Sequence, residues 1–259
     1  MVNEVPKFSS VVFSEKINKY CLCIPIINEG HRIIEELIQL NQSNIHNMVD
    51  IILCDGGSTD DSTKEERLKE FNVNTLLVKT GTGKLSAQLR MGYYWALERG
   101  YEGIITVDGN NKDSVESIPL FIEALEAGYD MIQGSRFIEG GDAINTPLIR
   151  HIAVKFIHAP IISIAAKHRF TDTTNGFRGY SRRYLEHGMV KPFRNIFHSY
   201  ELLAYLSVRA TQLGLKAIEV PVTRRYPKNG EVPTKISGIK GNLNLLRILF
   251  NTLAGKYNP

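Results

Sequence analysis

Four short segments hold the residues best suited to chemistry: Pro25-Ile26-Ile27-Asn28-Glu29, Asp55-Gly56-Gly57-Ser58-Thr59-Asp60, Asp108-Gly109-Asn110 and Gly134-Ser135-Arg136-Phe137. Three follow apolar runs (Tyr20 to Ile27, Val49 to Cys54, Gly103 to Val107), and the fourth follows Tyr129 to Gln133. Short apolar runs of this kind predict buried strands. In an open α/β sheet, ligands bind in the crevice beyond the carboxyl ends of the strands. Carboxylates, small turn residues and an arginine gathered at that edge suit a charged, hydroxyl-rich ligand. A sugar nucleotide meets that description.

Residue type limits each role. Asn28, Glu29 and Asp55 accept hydrogen bonds from base N–H groups and ribose hydroxyls, although Asn28 and Asp55 taken alone also suit turns and caps. Arg136 offers a planar fork that pairs bidentately with a phosphate, or with a carboxylate in a structural ion pair. Gly81-Thr82-Gly83-Lys84 lacks the spacing of a phosphate loop, because Leu85 follows the lysine.

The elements that must hold these residues alternate between strand and helix. Helices are expected over 30–41, with Ile33, Ile34, Leu37 and Ile38 on one face, from about Asp60, over 85–99, and over 114–127 with Ser114 as N-cap. With a further strand over 73–78, the pattern predicts a mostly parallel, doubly wound α/β sheet. Beyond Gly134 the rhythm breaks. Residues 147–167 predict an apolar helix, read as too short and too interrupted by Lys155, His158 and Pro160 to cross a bilayer. A helix over 198–213 and a strand over 216–222 follow. The last helix, about 238–254, is basic and amphipathic, which suits either a membrane interface or ordinary docking. The expected organisation is an N-terminal extension (1–19), one α/β domain (20–236) and a C-terminal amphipathic helix and tail (237–259).

Composition is that of a soluble globular protein, 43% hydrophobic and 22% charged over 259 residues. The net charge of +4 is uneven: from Pro221 to Pro259 seven Lys/Arg face one acid, Glu231. That asymmetry points to an anionic partner. Nucleic acid is disfavoured, because the tail lacks interleaved aromatics and no recognised module appears. Cys21, Cys23 and Cys54 lie in predicted strands without metal-ligand spacing, so they read as reduced core thiols in a cytoplasmic setting. Met1 to Lys19 shows no signal-peptide pattern, and no spanning segment is expected, since no run reaches eighteen apolar residues.

Taken in order, Pro25…Asn28-Glu29, Asp55…Asp60, Gly83-Lys84…Arg90, Asp108, Gly134-Ser135-Arg136, Asn175-Gly176-Phe177 and Glu219-Val220-Pro221-Val222 resemble the family 2 glycosyltransferases with a GT-A fold. The resemblance runs from about Tyr20 to Leu249 and is strongest to the branch that uses dolichyl or polyprenyl phosphate. It implies a Rossmann-like GT-A domain and a nucleotide-binding set of Pro25, Asn28, Glu29, Asp55, Lys84 and Asp108, with Arg90 also facing the donor. It implies a divalent cation, Mg²⁺ or Mn²⁺, held on the donor diphosphate by Asp108 and Asn110. Arg136, Arg150 and Asn175 fall on the acceptor side, and Arg225, Lys228 and Lys235 form a basic loop that closes over the diphosphate, hinged near Gly230. The catalytic residues implied are Asp108, Arg136 and Glu201.

The chain also departs from the family pattern. Gly56 follows Asp55 where relatives often carry a second acid, Asn110 stands in place of the second metal-binding acid, and Leu202 follows Glu201. Glu201 matches the general base of hydroxyl-accepting relatives, but a phosphate acceptor is already anionic and needs none. The expectation is therefore an inverting transfer from a nucleotide-diphosphate sugar to a polyprenyl phosphate, with peripheral membrane contact at the cytosolic face. The alternatives are a hydroxyl-accepting polysaccharide enzyme, a nucleotidyltransferase of similar architecture, and a catalytically silent scaffold.

Overall fold

The structure is a computed structural model that describes residues 3–228 and 238–259. Its strands are β1 (Phe8–Val12), β2 (Tyr20–Ile26), β3 (Asp50–Asp55), β4 (Val73–Lys79), β5 (Gly103–Thr106), β6 (Met131–Ser135), β7 (Asp142–Ile144), β8 (Arg178–Ser181), β9 (Ala217–Pro221) and β10 (Thr223–Arg225). The main sheet runs β1-β4-β3-β2-β5-β8-β6-β9, and β10 and β7 form a separate parallel pair. Within the main sheet only β1 and β8 are antiparallel to their neighbours. The mostly parallel sheet expected from the sequence is what forms.

Strands β2 and β3 are buried along their whole length, as central parallel strands are. Alternation sends Cys21, Cys23, Ile52 and Cys54 into one core and Leu22, Ile24, Ile51 and Leu53 into the other. The first core is covered by α3 (Leu85–Glu98), α6 (Ala159–Ala166), α7 (Arg182–Leu185), α8 (Glu201–Gln212) and α9 (Gly238–Leu253); the second by α1 (His31–Gln42), α2 (Glu65–Glu70) and α4 (Ile118–Glu126). The result is a three-layer α/β/α sandwich. After β4 the chain crosses back to place β5 on the far side of β2, so the topological switch point lies between β2 and β5. The ends of these strands carry Asn28 and Asp108.

Several local expectations change. Residues assigned to an extension supply β1, whose Phe8 to Val12 pair with Lys79 to Thr75. Strand β8 has no apolar run to announce it: its residues are Arg178-Gly179-Tyr180-Ser181. Ser114 does not cap its helix; its hydroxyl pairs with Ser117 Oγ at 2.9 Å and accepts the Thr223 N–H at 2.9 Å. Asp60 does cap, accepting the Ser62 N–H at 3.0 Å.

The apolar helix also corrects an expectation. From α5 (Leu148–Ala153) through a π turn at Val154–His158 to the end of α6, it is one helix of 19 residues, Leu148–Ala166, with mean hydropathy 1.4. By length and composition it is sufficient to cross a membrane. The π turn sits just before Pro160, whose missing N–H breaks the regular ladder. The second half docks on α8 and α9 through Ile162, Ala165 and Ala166. The first half leaves Leu148, Ile149 and Phe156 at least two-thirds exposed.

Candidate active site

The carboxyl end of β2 is lashed to that of β3. Asn28, at φ +50°, accepts the Thr59 N–H at 2.8 Å on its side-chain oxygen, and its own N–H donates to Ser58 Oγ at 2.9 Å. Asp55 is buried and accepts from the N–H groups of Gly57 (2.9 Å) and Ser58 (3.0 Å) and from the Ser58 hydroxyl. Gln88 of α3 donates to the carbonyls of Ile26 and Cys54 at 2.7 and 2.9 Å, closing the floor beneath both. Glu29 is buried against Arg32 at 2.7 Å. Pro25 lies within β2, opposite Cys54. Asn28, Asp55 and Ser58 thus form a rigid rim, with the Asn28 side chain on the exposed side.

Asp108 follows β5 across the switch point. Glycine is required on both sides of it. A Cβ on Gly109 would lie 2.5 Å from Ile26 Cγ2, and one on Gly176 would lie 2.3 Å from Asp108 Oδ1. The Asn175-Gly176-Phe177 segment therefore lies flush against this carboxylate. Asp108 Oδ2 accepts from Arg224 Nη2 at 3.0 Å, and Arg224 Nη1 pairs with Asp113. Asp108 remains 27% exposed, whereas Asp113 is fully buried and Arg224 is 7% exposed. Burial works against the Arg224 charge, but Asp113 and Asp108 hold the guanidinium more firmly protonated than usual.

Around this pair lie further groups, of which Glu36 and Tyr226 carry no signal in the sequence. Glu36 of α1 accepts the Asn111 N–H at 2.8 Å; burial pushes its carboxyl well above the usual range, and Asp113 and Asp108 push it further. Lys112 is buried, and burial together with Arg224 brings its ammonium down to about 8. Tyr226 is buried at the centre of a cationic group. Its ring lies 5.1 Å from Lys112 Nζ, 5.6 Å from the Arg150 guanidinium and 5.8 Å from that of Arg224, and its hydroxyl accepts from Arg150 at 2.8 Å. Burial opposes ionisation of this phenol, but Arg224, Arg150 and Arg136 draw its pKa below the ordinary value.

Several residues expected at the site have protein partners of their own. Arg136 is buried and held bidentately by Asp172 at 2.6 and 2.9 Å, with Thr174 Oγ1 at 3.0 Å, so its fork already has a carboxylate partner. Glu219 anchors that partner by accepting the Thr171 and Asp172 N–H groups at 2.9 and 3.0 Å. Glu201 accepts the N–H groups of His198 and Ser199 and so fastens the loop before α8. Arg90 is buried, bonded to the Glu4 carbonyl and to Asn195. Asn175 is buried, with its oxygen 3.4 Å from Arg224 Nη1 and its amide nitrogen without a partner. Lys84, Arg225 and Lys228 have exposed side chains. Lys235 and Gly230 lie outside the described residues. Arg224, counted with the basic tail, is interior.

Oxygen donors at the end of β5 suit a hard cation. Asp108 is partly open, and the side-chain oxygen of Asn110 is buried without a partner. Among the described residues no group of three or more His, Cys, Asp or Glu side chains is placed to hold a metal ion. An ion here needs phosphate and water to complete its shell, as Mg²⁺ commonly does.

Comparison with known proteins agrees with this geometry. The family model for glycosyl transferase family 2 matches residues 21–189. The polyprenol monophosphomannose synthase of Mycolicibacterium smegmatis is 27% identical over 77% of this chain and 75% of its own. The undecaprenyl-phosphate mannosyltransferase of Micrococcus luteus is 26% identical over 73% and 76%. Among solved structures, the glucosyl-3-phosphoglycerate synthase of Mycobacterium tuberculosis, in complex with Mn²⁺, UDP and glucosyl-3-phosphoglycerate, shares the fold with TM-score 0.60 at 16% identity. It aligns over 92% of this chain and 79% of its own. With a GT-A sheet, an aspartate at its switch point and a family match over more than half its length, the chain belongs to glycosyl transferase family 2, on the side of the polyprenyl-phosphate sugar transferases.

Proposed function

We propose that this protein transfers a sugar from a nucleoside-diphosphate donor to a polyprenyl phosphate, with inversion at the anomeric carbon, at the cytosolic face of a membrane. One adjacency carries the reading. Tyr226 stands between Arg224, which holds Asp108, and Arg150, which opens the exposed apolar helix. A phosphate met by Arg150 has the donor edge on one side and an apolar path for its chain on the other. The names of the relatives point to the same acceptor class.

In the reaction, a phosphate oxygen of the acceptor attacks the anomeric carbon from the face opposite the diphosphate. The bond from that carbon to the diphosphate oxygen breaks, and its electrons leave with the nucleoside diphosphate. No proton has to be removed from an ionised phosphate, which fits a Glu201 occupied by backbone N–H groups. The rim of Asn28 and Asp55 receives the base and ribose, and Arg150 orients the acceptor. A divalent cation, when bound by Asp108 and Asn110, neutralises charge on the leaving diphosphate. Lys112, beside Tyr226, adds positive potential to the same wall.

The test separates donor from acceptor. Arg150→Lys removes a planar fork but keeps the charge. The acceptor KM should rise about tenfold, a cost of one charge-assisted hydrogen bond, while calorimetric affinity for the nucleoside diphosphate stays unchanged. Loss of nucleotide affinity in that variant would place Arg150 on the donor and refute the acceptor site.

A further inference from the structure

Asp108 faces a conflict that its surroundings resolve. It is the carboxylate best placed to take a metal, yet its Oδ2 already accepts from Arg224 Nη2 at 3.0 Å. Its other oxygen lies against Gly176, where even a methyl group would intrude. A cation on Oδ2 is repelled by a guanidinium donating to the same oxygen, so a metal reaching Asp108 competes with Nη2. The two acids that Arg224 joins are not equivalent. Asp113 is fully buried with its Oδ1 lacking a partner, and removing the guanidinium paired with it would leave a poorly compensated interior charge. Asp108 is 27% exposed and can be rehydrated or bound by another cation.

We propose that Arg224 is a gate on the metal site, pivoting on Asp113. With no donor bound, its Nη1 stays on Asp113 while Nη2 covers Asp108 and keeps a free divalent ion from binding tightly. When the ion arrives with a nucleoside diphosphate, the ion takes Asp108 and Nη2 passes to a phosphate oxygen. A guanidinium suits this exchange because its fork serves two anions at once. The supporting wall is in place: Tyr226 lies 5.8 Å from the guanidinium, and Asn175 Oδ1 lies 3.4 Å from Nη1, the end that does not move. The site therefore selects the metal–diphosphate complex over the bare metal, which prevents occupation by an ion without substrate. This inference rests on the donor site proposed above.

The experiment measures Mn²⁺ binding to the full chain without nucleotide, from loss of the free-ion EPR signal, and then UDP and GDP binding at saturating Mn²⁺. For Arg224→Gln, Mn²⁺ alone should bind at least about tenfold more tightly than to the natural protein, while affinity for the preferred diphosphate falls about tenfold, the scale of one charge-assisted bond. A residue that merely supports the fold would weaken both. If Arg224→Gln fails to fold, Arg224→Gln with Asp113→Asn removes the buried pair together, and the same opposite changes are expected. Unchanged or weaker binding of Mn²⁺ alone in these variants, with metal-dependent diphosphate binding intact in the natural protein, overturns the gate and leaves the donor site standing. Absence of metal-dependent binding of either diphosphate to the natural protein overturns the donor site and the gate with it.

Discussion

In the proposed reaction, the chemistry concentrates on Asp108 and the residues packed against it. Asp108→Ala should abolish transfer and metal-dependent nucleotide binding while leaving the fold intact, because Asp113 keeps Arg224 paired; a full rate at saturating donor contradicts the assignment. Gly176→Ala should give nearly the same loss through a different cause, a Cβ placed 2.3 Å from Asp108 Oδ1. Circular dichroism and nucleotide calorimetry check both variants. Glu201→Gln should keep transfer within about threefold, since the amide oxygen still accepts the two loop N–H groups; a true general base would lose about 10²–10⁴. The strand ends that carry Asn28, Asp55 and Asp108 were legible in the sequence, because each residue punctuates an apolar run. The partnership of Arg224 with Asp108 was not, because the two are 116 positions apart and no local pattern couples them. Arg136 was legible as a pairing arginine but not in its choice of partner, which depends on Glu219 holding the Asp172 loop in place.

Elements decide which of these residues meet. The central strands were readable from composition, since burial on both faces demands continuous apolar residues. Strands β1 and β8 were not, because an edge strand and a Gly- and Arg-containing strand carry no such run. Helix α1 reaches the candidate site through Glu36, which accepts the Asn111 N–H. Its carboxyl is raised by burial, with Asp113 and Asp108 adding to the shift and Arg224 opposing it. The folded state thus holds this proton at pH values where the unfolded chain has released it. Its penalty to stability grows as pH rises above the ordinary carboxyl range and levels off once the folded carboxyl also ionises. Glu36→Gln should therefore raise the thermal midpoint more at pH 8 than at pH 5, as a pair of melting curves at each pH will show; an equal change at both values contradicts a buried neutral carboxyl.

On the scale of the whole molecule, the apolar first half of Leu148–Ala166 and the exposed Leu243, Phe250 and Leu253 of α9 belong to two helices that pack together. Exposed Lys155, Arg225, Lys228, Arg247 and Lys256 supply positive charge. Each basic residue near an anionic surface contributes about 1 kcal/mol, and screening by salt removes that part. The protein should sediment with anionic liposomes, less so at high ionic strength, and Ile149→Asp with Phe156→Asp should weaken binding at every salt concentration. Indifference to liposome charge and to both substitutions would favour a soluble acceptor. The acceptor is identified by the product it yields. The protein should be incubated with Mn²⁺, a panel of UDP- and GDP-sugars and undecaprenyl phosphate, and the lipid fraction read by mass spectrometry and by NMR of the anomeric centre. The expected result is a glycosyl-phosphoryl-prenol of inverted anomeric configuration, absent with Asp108→Ala. A sugar delivered to a hydroxyl acceptor instead, with the lipid phosphate left unmodified across the panel, would rule out a polyprenyl-phosphate acceptor.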